Sequence, residues 1–394
     1  MKLSQRVQRI KPSPTLAVTA RAASLRAAGQ DIIGLGAGEP DFDTPEHIKQ
    51  AARDAIDTGK TKYTAVDGTV ELKAAIINKL KNDNQLSYQA DQILVSCGGK
   101  QSFFNLAQAL LDDGDEVIIP APYWVSYPDM SLLAGGVPVI VQASQEQSFK
   151  MTPEQLEAAI TEKTKLVVIN SPSNPSGKAY THDELAALGA VLKKHPNVLI
   201  ATDDMYEHIL WCDEPFSNIV MACPELYDQT IVLNGVSKAY SMTGWRIGYA
   251  AGPVELIKAM KKIQSQSTSN PTSISQYAAQ AALEGDQSCI SEMLASFKER
   301  HDYVVGKLND IAGISCIQSD GTFYCFPDFN TVLNRMNDIN NDVDLAEYIL
   351  EKAGVALVPG SAFGLDGHMR ISIATSMDNL VNAMDRIAKL LNSK

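Results

Sequence analysis

Between residues 45 and 286 the chain alternates amphipathic stretches of helical period with short β-branched runs. That alternation predicts a mainly parallel sheet covered by helices, a three-layer α/β/α arrangement. Three runs are especially regular: 166–170 (LVVIN), 198–202 (VLIAT) and 231–233 (IVL) start one strand plus one crossover helix apart. Polar residues follow each run at once. Ligands of open α/β sheets bind outside the carboxyl ends of the strands, so Asn174, Asp203 and Lys238 are expected on one rim. After residue 287 the pattern changes to a long charged helix (291–308), short strands at 322–327 and 368–373, and a closing helix. This tail reads as a second, smaller α+β lobe.

Composition narrows the partner. A chain of 394 residues exceeds what one core normally supports, so two lobes are the expectation. A net charge of -12, with no basic tract, argues against a nucleic-acid or anionic-membrane partner and for a small molecule. The six cysteines are scattered singly, without C-x-x-C spacing, and suggest neither a zinc site nor a disulfide framework. The six histidines also lack metal-ligand spacing, so no metal is expected. No apolar run reaches membrane-spanning length and the first residues lack an apolar core segment, which reads as a cytoplasmic chain.

The candidate chemistry centres on 234–249 (NGVSKAYSMTGWRIGY), where small residues crowd Lys238 and Arg246 follows. A lone lysine is ordinarily a solvated charge. Flanked by Gly235, Val236, Ser237 and Ala239 it has no obvious solvated surface, and a lysine desolvated in this way becomes a nucleophile able to form a Schiff base with an aldehyde. Arg246, between Trp245 and Ile247, is expected to be partly buried, where a guanidinium needs an anion such as a phosphate. Asp203 and Asp204 at a strand end could be simple helix caps. Beside a Schiff-base lysine, Asp203 could instead keep a cofactor's pyridine nitrogen protonated, with Tyr206 aimed at the ring oxygen.

Other segments carry weaker signals. Asn174, in a turn with Pro172 and Pro175, is rigidly aimed and could bond both a phenolate and a carboxylate. Residues 96–101 (SCGGKQ) join a strand-like 93–95 to an amphipathic helix, an arrangement that suits either a plain glycine turn or an anion site. The glycines at 34, 36 and 38 are followed by Glu39-Pro40-Asp41 instead of a helix, so a dinucleotide fingerprint is rejected, and the backbone there is expected to touch a small substrate. Arg370, in an apolar strand, suits a salt bridge or bidentate capture of a carboxylate. Trp124 is a core aromatic or a stacking plate.

Taken together, the lysine motif at 235–248, the Asn-Pro turn at Asn174 and the Asp203/Tyr206 pair resemble the class I aminotransferases of the pyridoxal-phosphate fold type I superfamily. The likeness runs nearly end to end. The stretches 36–45, 99–101, 122–127 and 242–246 are similar to the bacterial subgroup of aspartate aminotransferases that also use prephenate.

The resemblance implies pyridoxal 5'-phosphate as cofactor. It implies Lys238 as its attachment point and proton carrier, Asp203 at the pyridinium, Tyr206 and Asn174 at the ring oxygen and Trp124 stacked on the ring. Arg246, Ser237, Gly99 and Lys100 would hold the phosphate. Arg370, Asn174 and the Gly38 backbone would clamp the substrate α-carboxylate, with Trp124 beside it. Lys100 matches a position that helps select an acidic side chain, Lys11 one associated with prephenate, and Tyr63 a tyrosine reaching the phosphate from the neighbouring subunit of a homodimer. It further implies residues 1–44 as an arm and first part of the small domain, 45–286 as the large cofactor domain and 287–394 as the rest of the small domain. Thr322 stands where relatives often have alanine, and Ile373 where many have tyrosine.

The function so implied is transfer of an amino group between aspartate or glutamate and 2-oxo acids such as oxaloacetate and 2-oxoglutarate, with prephenate as a further acceptor. The alternatives are another enzyme of the same fold, such as a β-lyase or an aminocyclopropane-forming enzyme, or an aminotransferase preferring aromatic or alanine substrates. A non-catalytic descendant would have lost Lys238, Asp203 or Arg370, and all three are present.

Overall fold

The computed structural model describes residues 1, 3–12 and 14–392. Twelve strands occur in this part of the chain: β1 (Ile33–Gly34), β2 (Ile93–Ser96), β3 (Glu116–Ala121), β4 (Val137–Gln142), β5 (Thr164–Asn170), β6 (Leu199–Asp203), β7 (Thr230–Gly235), β8 (Gly248–Ala251), β9 (Tyr324–Cys325), β10 (Val355–Ala356), β11 (Val358–Pro359) and β12 (Met369–Ser372). Seven of them form one sheet in the order β2-β8-β7-β6-β5-β3-β4. The pairs β3/β4, β3/β5, β5/β6 and β6/β7 are parallel, and β8 runs against both of its neighbours.

Why the central runs read as unbroken apolar stretches is visible in the packing. On β5, Val167 and Ile169 enter one apolar cluster with Ile200 and Val232 from the next strands. Leu166 and Val168 enter the opposite cluster, with Ala201, Ile231 and Leu233. Side chains alternate across a strand, so a sheet covered on both faces needs apolar residues at every position. Helices Val70–Asn84, His182–Leu192 and Ser273–Glu284 supply Leu72, Leu185 and Ala278 to the first face. Helices Gly99–Leu110 and Val254–Ser265 supply Phe103, Leu106, Ile257 and Met260 to the second. The expected α/β/α layering with a mainly parallel sheet is what the chain adopts.

A third core gathers Phe297, Val304 and Leu308 of the helix Ser288–Asn309, Leu380 and Met384 of the helix Met377–Asn392, and Ile371 of β12. Ile33 and Leu35 join it, because β1 pairs in parallel with β10. The small antiparallel sheet β11-β12-β9 lies in this region. The strand expected over 322–327 is shorter than its apolar pattern suggests. Thr322 adopts a left-handed φ of 68°, and the regular strand is limited to Tyr324 and Cys325. A β-branched residue in that conformation breaks the extended backbone the ladder needs. All six cysteines are unpaired, and among the described residues no helix is long and apolar enough to cross a membrane.

Candidate active site

Register within the large sheet creates the site. Asn170, the last residue of β5, lies opposite Asp203, the last residue of β6, and Asp203 lies opposite Leu233 of β7. Asp203 therefore ends its strand instead of following it. The Asn170 amide donates to the Asp203 carbonyl (3.0 Å), while its Oδ1 accepts the Asn174 N–H (2.9 Å). One buried-edge amide thus locks the Asn174 turn to the strand end that carries Asp203. Lys238 follows β7 by three residues, and all three groups line a single cavity of about 520 Å³. The convergence expected from strand ends is realised.

Within the cavity the groups are held in defined states. Lys238 Nζ donates to the Gly38 carbonyl (2.6 Å). Burial, reinforced by the Arg370 cation, brings its pKa down to about 8, against the opposing pull of Glu39. The lysine is thereby partly neutral at physiological pH, as a nucleophile must be. Burial also pushes the Asp203 carboxyl up, although it accepts hydrogen bonds from the Tyr127 hydroxyl and the Met205 N–H. A desolvated carboxylate in this position is favoured by a cationic partner. The Tyr206 hydroxyl meets that of Tyr324 at 3.0 Å.

Opposite the sheet, Arg370 is only 2% exposed. Its Nη1 donates to Asn174 Oδ1 (2.9 Å) and its Nη2 to the Gly36 carbonyl (2.8 Å), while its Nε has no hydrogen-bond partner. The guanidinium lies 4.4 Å from the Tyr324 ring centroid and 4.9 Å from that of Phe363. Neutral carbonyls and aromatic faces leave the positive charge uncompensated, which is the environment that captures an anion. Gly38 leaves this corner open: a Cβ on it would stand 3.2 Å from the Tyr324 hydroxyl oxygen and 3.9 Å from Arg370 Nη2.

At the other end of the cavity, the helix Gly99–Leu110 starts without a side-chain cap. Its first residues, Gly99 and Lys100, line the cavity together with Ser237 and Arg246. Gly98 has a φ of 84°, and a Cβ there would lie 2.5 Å from Arg246 Nη2, so the glycine admits the guanidinium. Arg246 donates to the carbonyls of Thr243 (2.8 Å) and Cys97 (3.2 Å). It is exposed, which corrects the expectation of partial burial. Trp245 is held by Thr44 and Ile247 enters the core, but the left-handed φ of 59° at Arg246 turns its side chain out over the cavity mouth. Uncapped helix amides, a guanidinium and a glycine-lined approach make an anion cradle.

Trp124 stands on the loop after β3, edge-on to Tyr127 at 5.1 Å, with Lys100 Nζ 5.2 Å from its ring centroid. Lys238, Asp203, Tyr206, Gly99, Lys100, Trp124, Asn174, Ser237, Arg246, Gly38 and Arg370 all line the one cavity. Tyr63, 92% exposed, and Lys11, also exposed, are not in its lining. Thr322 and Ile373 are fully buried and do not line it either. Residues not singled out from the sequence also contribute: Thr15 and Thr19 from the helix Pro14–Ala27, Glu39, Asn170, Met205 and Tyr324. Glu39 and Asn170 lay inside motifs already noticed, whereas the helix carrying the two threonines gives no chemical signal. Among the described residues, no group of three or more His, Cys, Asp or Glu could hold a metal ion.

The sequence matches the family "Aminotransferase class I and II" over residues 30–387. The chain belongs to that family, and its mainly parallel seven-stranded sheet is the fold type I architecture. It is 62% identical to the aspartate/prephenate aminotransferase of Nitrosomonas europaea, with all of both chains covered. It is 50% identical to the aspartate aminotransferase of Geobacillus stearothermophilus, again over the full length of both. Among solved structures, the aspartate aminotransferase from Rhizobium meliloti superimposes with a TM-score of 0.96 at 50% identity, covering 100% of this chain and 99% of that one. The Thermus thermophilus aspartate aminotransferase with maleate gives 0.93 at 44% identity, covering 99% and 100%. The family implies amino-acid and 2-oxo-acid substrates and a pyridoxal-phosphate cofactor.

Proposed function

We propose that this enzyme uses pyridoxal 5'-phosphate to move an amino group between aspartate or glutamate and a 2-oxo acid, with prephenate as a further acceptor. The observation that carries the proposal is the meeting of a desolvated lysine, a strand-end carboxylate and a buried arginine with an unpartnered Nε around one cavity. The residues present fit the cofactor. Lys238 would attach it, Asp203 would face its pyridine nitrogen, and Tyr206 and Asn174 its ring oxygen. Trp124 would lie against the ring, with Ser237, Arg246 and the amides of Gly99 and Lys100 at its phosphate. When bound, the cofactor supplies an electron-withdrawing ring that acidifies the substrate Cα–H.

The chain's own residues supply the rest. Arg370, with Asn174 and the Gly38 backbone, binds the α-carboxylate and so aims the Cα–H bond at Lys238. With its pKa near 8, Lys238 Nζ can take a proton at Cα and return it on the other side of the transfer, because neither direction is strongly uphill near neutrality. Asp203 would hold a proton at the ring nitrogen by its negative charge. Lys100, at the cavity edge beside Trp124, offers a cation to a second carboxylate, in keeping with the acidic substrates in the relatives' names and the dicarboxylate maleate in the Thermus structure. Lys11 is proposed to contribute to prephenate use.

A homodimer in the cytoplasm completes the proposal. Tyr63 lies exposed and outside its own chain's cavity, which suits a tyrosine that serves the partner's phosphate site. The apolar clusters support two lobes, 45–286 and 1–44 with 287–394. Aspartate and glutamate are to be assayed as donors against oxaloacetate, 2-oxoglutarate, phenylpyruvate and prephenate. Amino transfer to these acceptors is expected. Release of ammonia and pyruvate with no amino product would assign the chain to a lyase instead.

A further inference from the structure

We propose that Tyr324 is a positioning residue for the transfer reaction, whose hydroxyl donates to the Tyr206 oxygen and thereby leaves the Tyr206 proton free to point into the cavity. The inference rests on the cofactor reading above. Tyr324 is fully buried, lines the cavity and lies 118 positions along the chain from Tyr206, to which its hydroxyl is joined at 3.0 Å. Each phenol has one proton, so only one of the two can donate across this contact. Were Tyr206 the donor, its proton would be consumed by Tyr324 and a ring oxygen in the cavity would face a lone pair.

The surroundings favour donation by Tyr324. The Arg370 guanidinium lies over its ring at 4.4 Å, and a cation on the face of a phenol makes the hydroxyl a stronger donor. Burial pushes both phenols up and the Arg370 charge pulls both back; on Tyr324 that charge is the foremost influence after burial, whereas on Tyr206 the contact with Tyr324 adds to the rise. Tyr206 stands nearer the Asp203 carboxylate, whose charge makes it the more reluctant acid. The charged groups facing the pair are Arg370, Asp203, Lys238, whose Nζ lies 5.9 Å from the Tyr206 ring centroid, and Glu39. Gly38 leaves room for the Tyr324 hydroxyl, since a Cβ there would come within 3.2 Å of it. Tyr324 thus links the arginine proposed to hold the substrate carboxylate to the tyrosine proposed to touch the ring oxygen. Successive donations along one direction strengthen each other.

The test is a spectroscopic pH titration of the holoenzyme, read from the absorbance of the bound cofactor. Donation by Tyr206 to the ring oxygen competes for the lone pair that would otherwise retain the proton on the linkage to Lys238. Weakening that donation makes the proton leave at higher pH. Tyr324→Phe, which keeps the ring over Arg370, is therefore expected to raise the midpoint by roughly half a unit and to lower kcat about three- to ten-fold, as for loss of one buried hydrogen bond. A fluorinated tyrosine at position 324, a stronger donor of the same shape, is expected to lower the midpoint, and it serves where Tyr324→Phe does not fold. In the Tyr206→Phe background, Tyr324→Phe is expected to add nothing to the shift.

An unchanged midpoint in both Tyr324 variants, or a shift that adds fully to that of Tyr206→Phe, overturns the role assigned to Tyr324. A wild-type protein that binds no pyridoxal phosphate instead overturns the cofactor reading itself.

Discussion

Asp203 and Lys238 leave the carboxyl ends of neighbouring strands in a sheet buried on both faces, whereas Arg370 stands on the four-residue strand β12 at the opposite wall. The first wall is positioned by backbone register: Asn170 opposite Asp203, Asp203 opposite Leu233. The second is positioned by side chains, through Arg370 to Asn174 and Gly36, and by the aromatic faces of Tyr324 and Phe363. On the proposed assignment, the groups for proton transfer sit on the rigid frame, and recognition of the substrate carboxylate rests on a handful of side-chain contacts.

If this division holds, substitutions on the two walls fail in different ways. Lys238→Ala should have the largest effect, a loss of at least ~10³-fold in aspartate turnover with unchanged far-ultraviolet circular dichroism, because it removes both the attachment point and the proton carrier. Asp203→Asn should lower kcat by about 10²-fold or more while KM for aspartate moves little, since its proposed partner is the cofactor ring and not the substrate. Arg370→Lys should show the opposite split. A compact ammonium replaces a planar fork, so KM should rise and kcat/KM fall by roughly 10- to 100-fold, with cofactor content unaffected. A fall in kcat alone in the Arg370 variant would erase the distinction between the walls.

Two smaller effects sharpen the comparison. With a pKa near 8, Lys238 is mostly protonated at pH 7 and mostly neutral at pH 9. Capture of pyridoxal phosphate by the apoprotein, followed by absorbance, should therefore speed up about ten-fold between those values and level off above. A rate that climbs about 100-fold across that window and keeps rising above pH 9 would mean that burial does not depress Lys238. Lys100→Ala should change the ratio of kcat/KM for aspartate over alanine by about ten-fold or less, the size expected for a charge at a solvent-accessible edge.

The first wall was more legible in the sequence than the second, for a physical reason. A parallel sheet with crossover helices places successive strand ends side by side, so apolar runs followed by Asn174, Asp203 and Lys238 could be set on one rim from spacing alone. The assignment of roles then came from family resemblance. Contacts made across long stretches of chain were not legible. Tyr206 meets Tyr324, and Thr15 and Thr19 reach the cavity from the first long helix, with no local pattern to announce either. Tyr127 lay within a motif already noticed, but its bond to Asp203 depends on how the helix Ser126–Leu133 docks. Arg246 was misjudged because the apolar residues on either side of it said nothing of its left-handed backbone.

The most direct test of the central claim is reduction of the holoenzyme with borohydride, followed by mass spectrometry of its peptides. One pyridoxyl-phosphate group per chain on Lys238, prevented when excess aspartate is added first, is the expected result. A label on Lys100 or another lysine, or labelling that aspartate leaves untouched, would contradict the claim that this cavity holds the reacting lysine of an amino-group transfer.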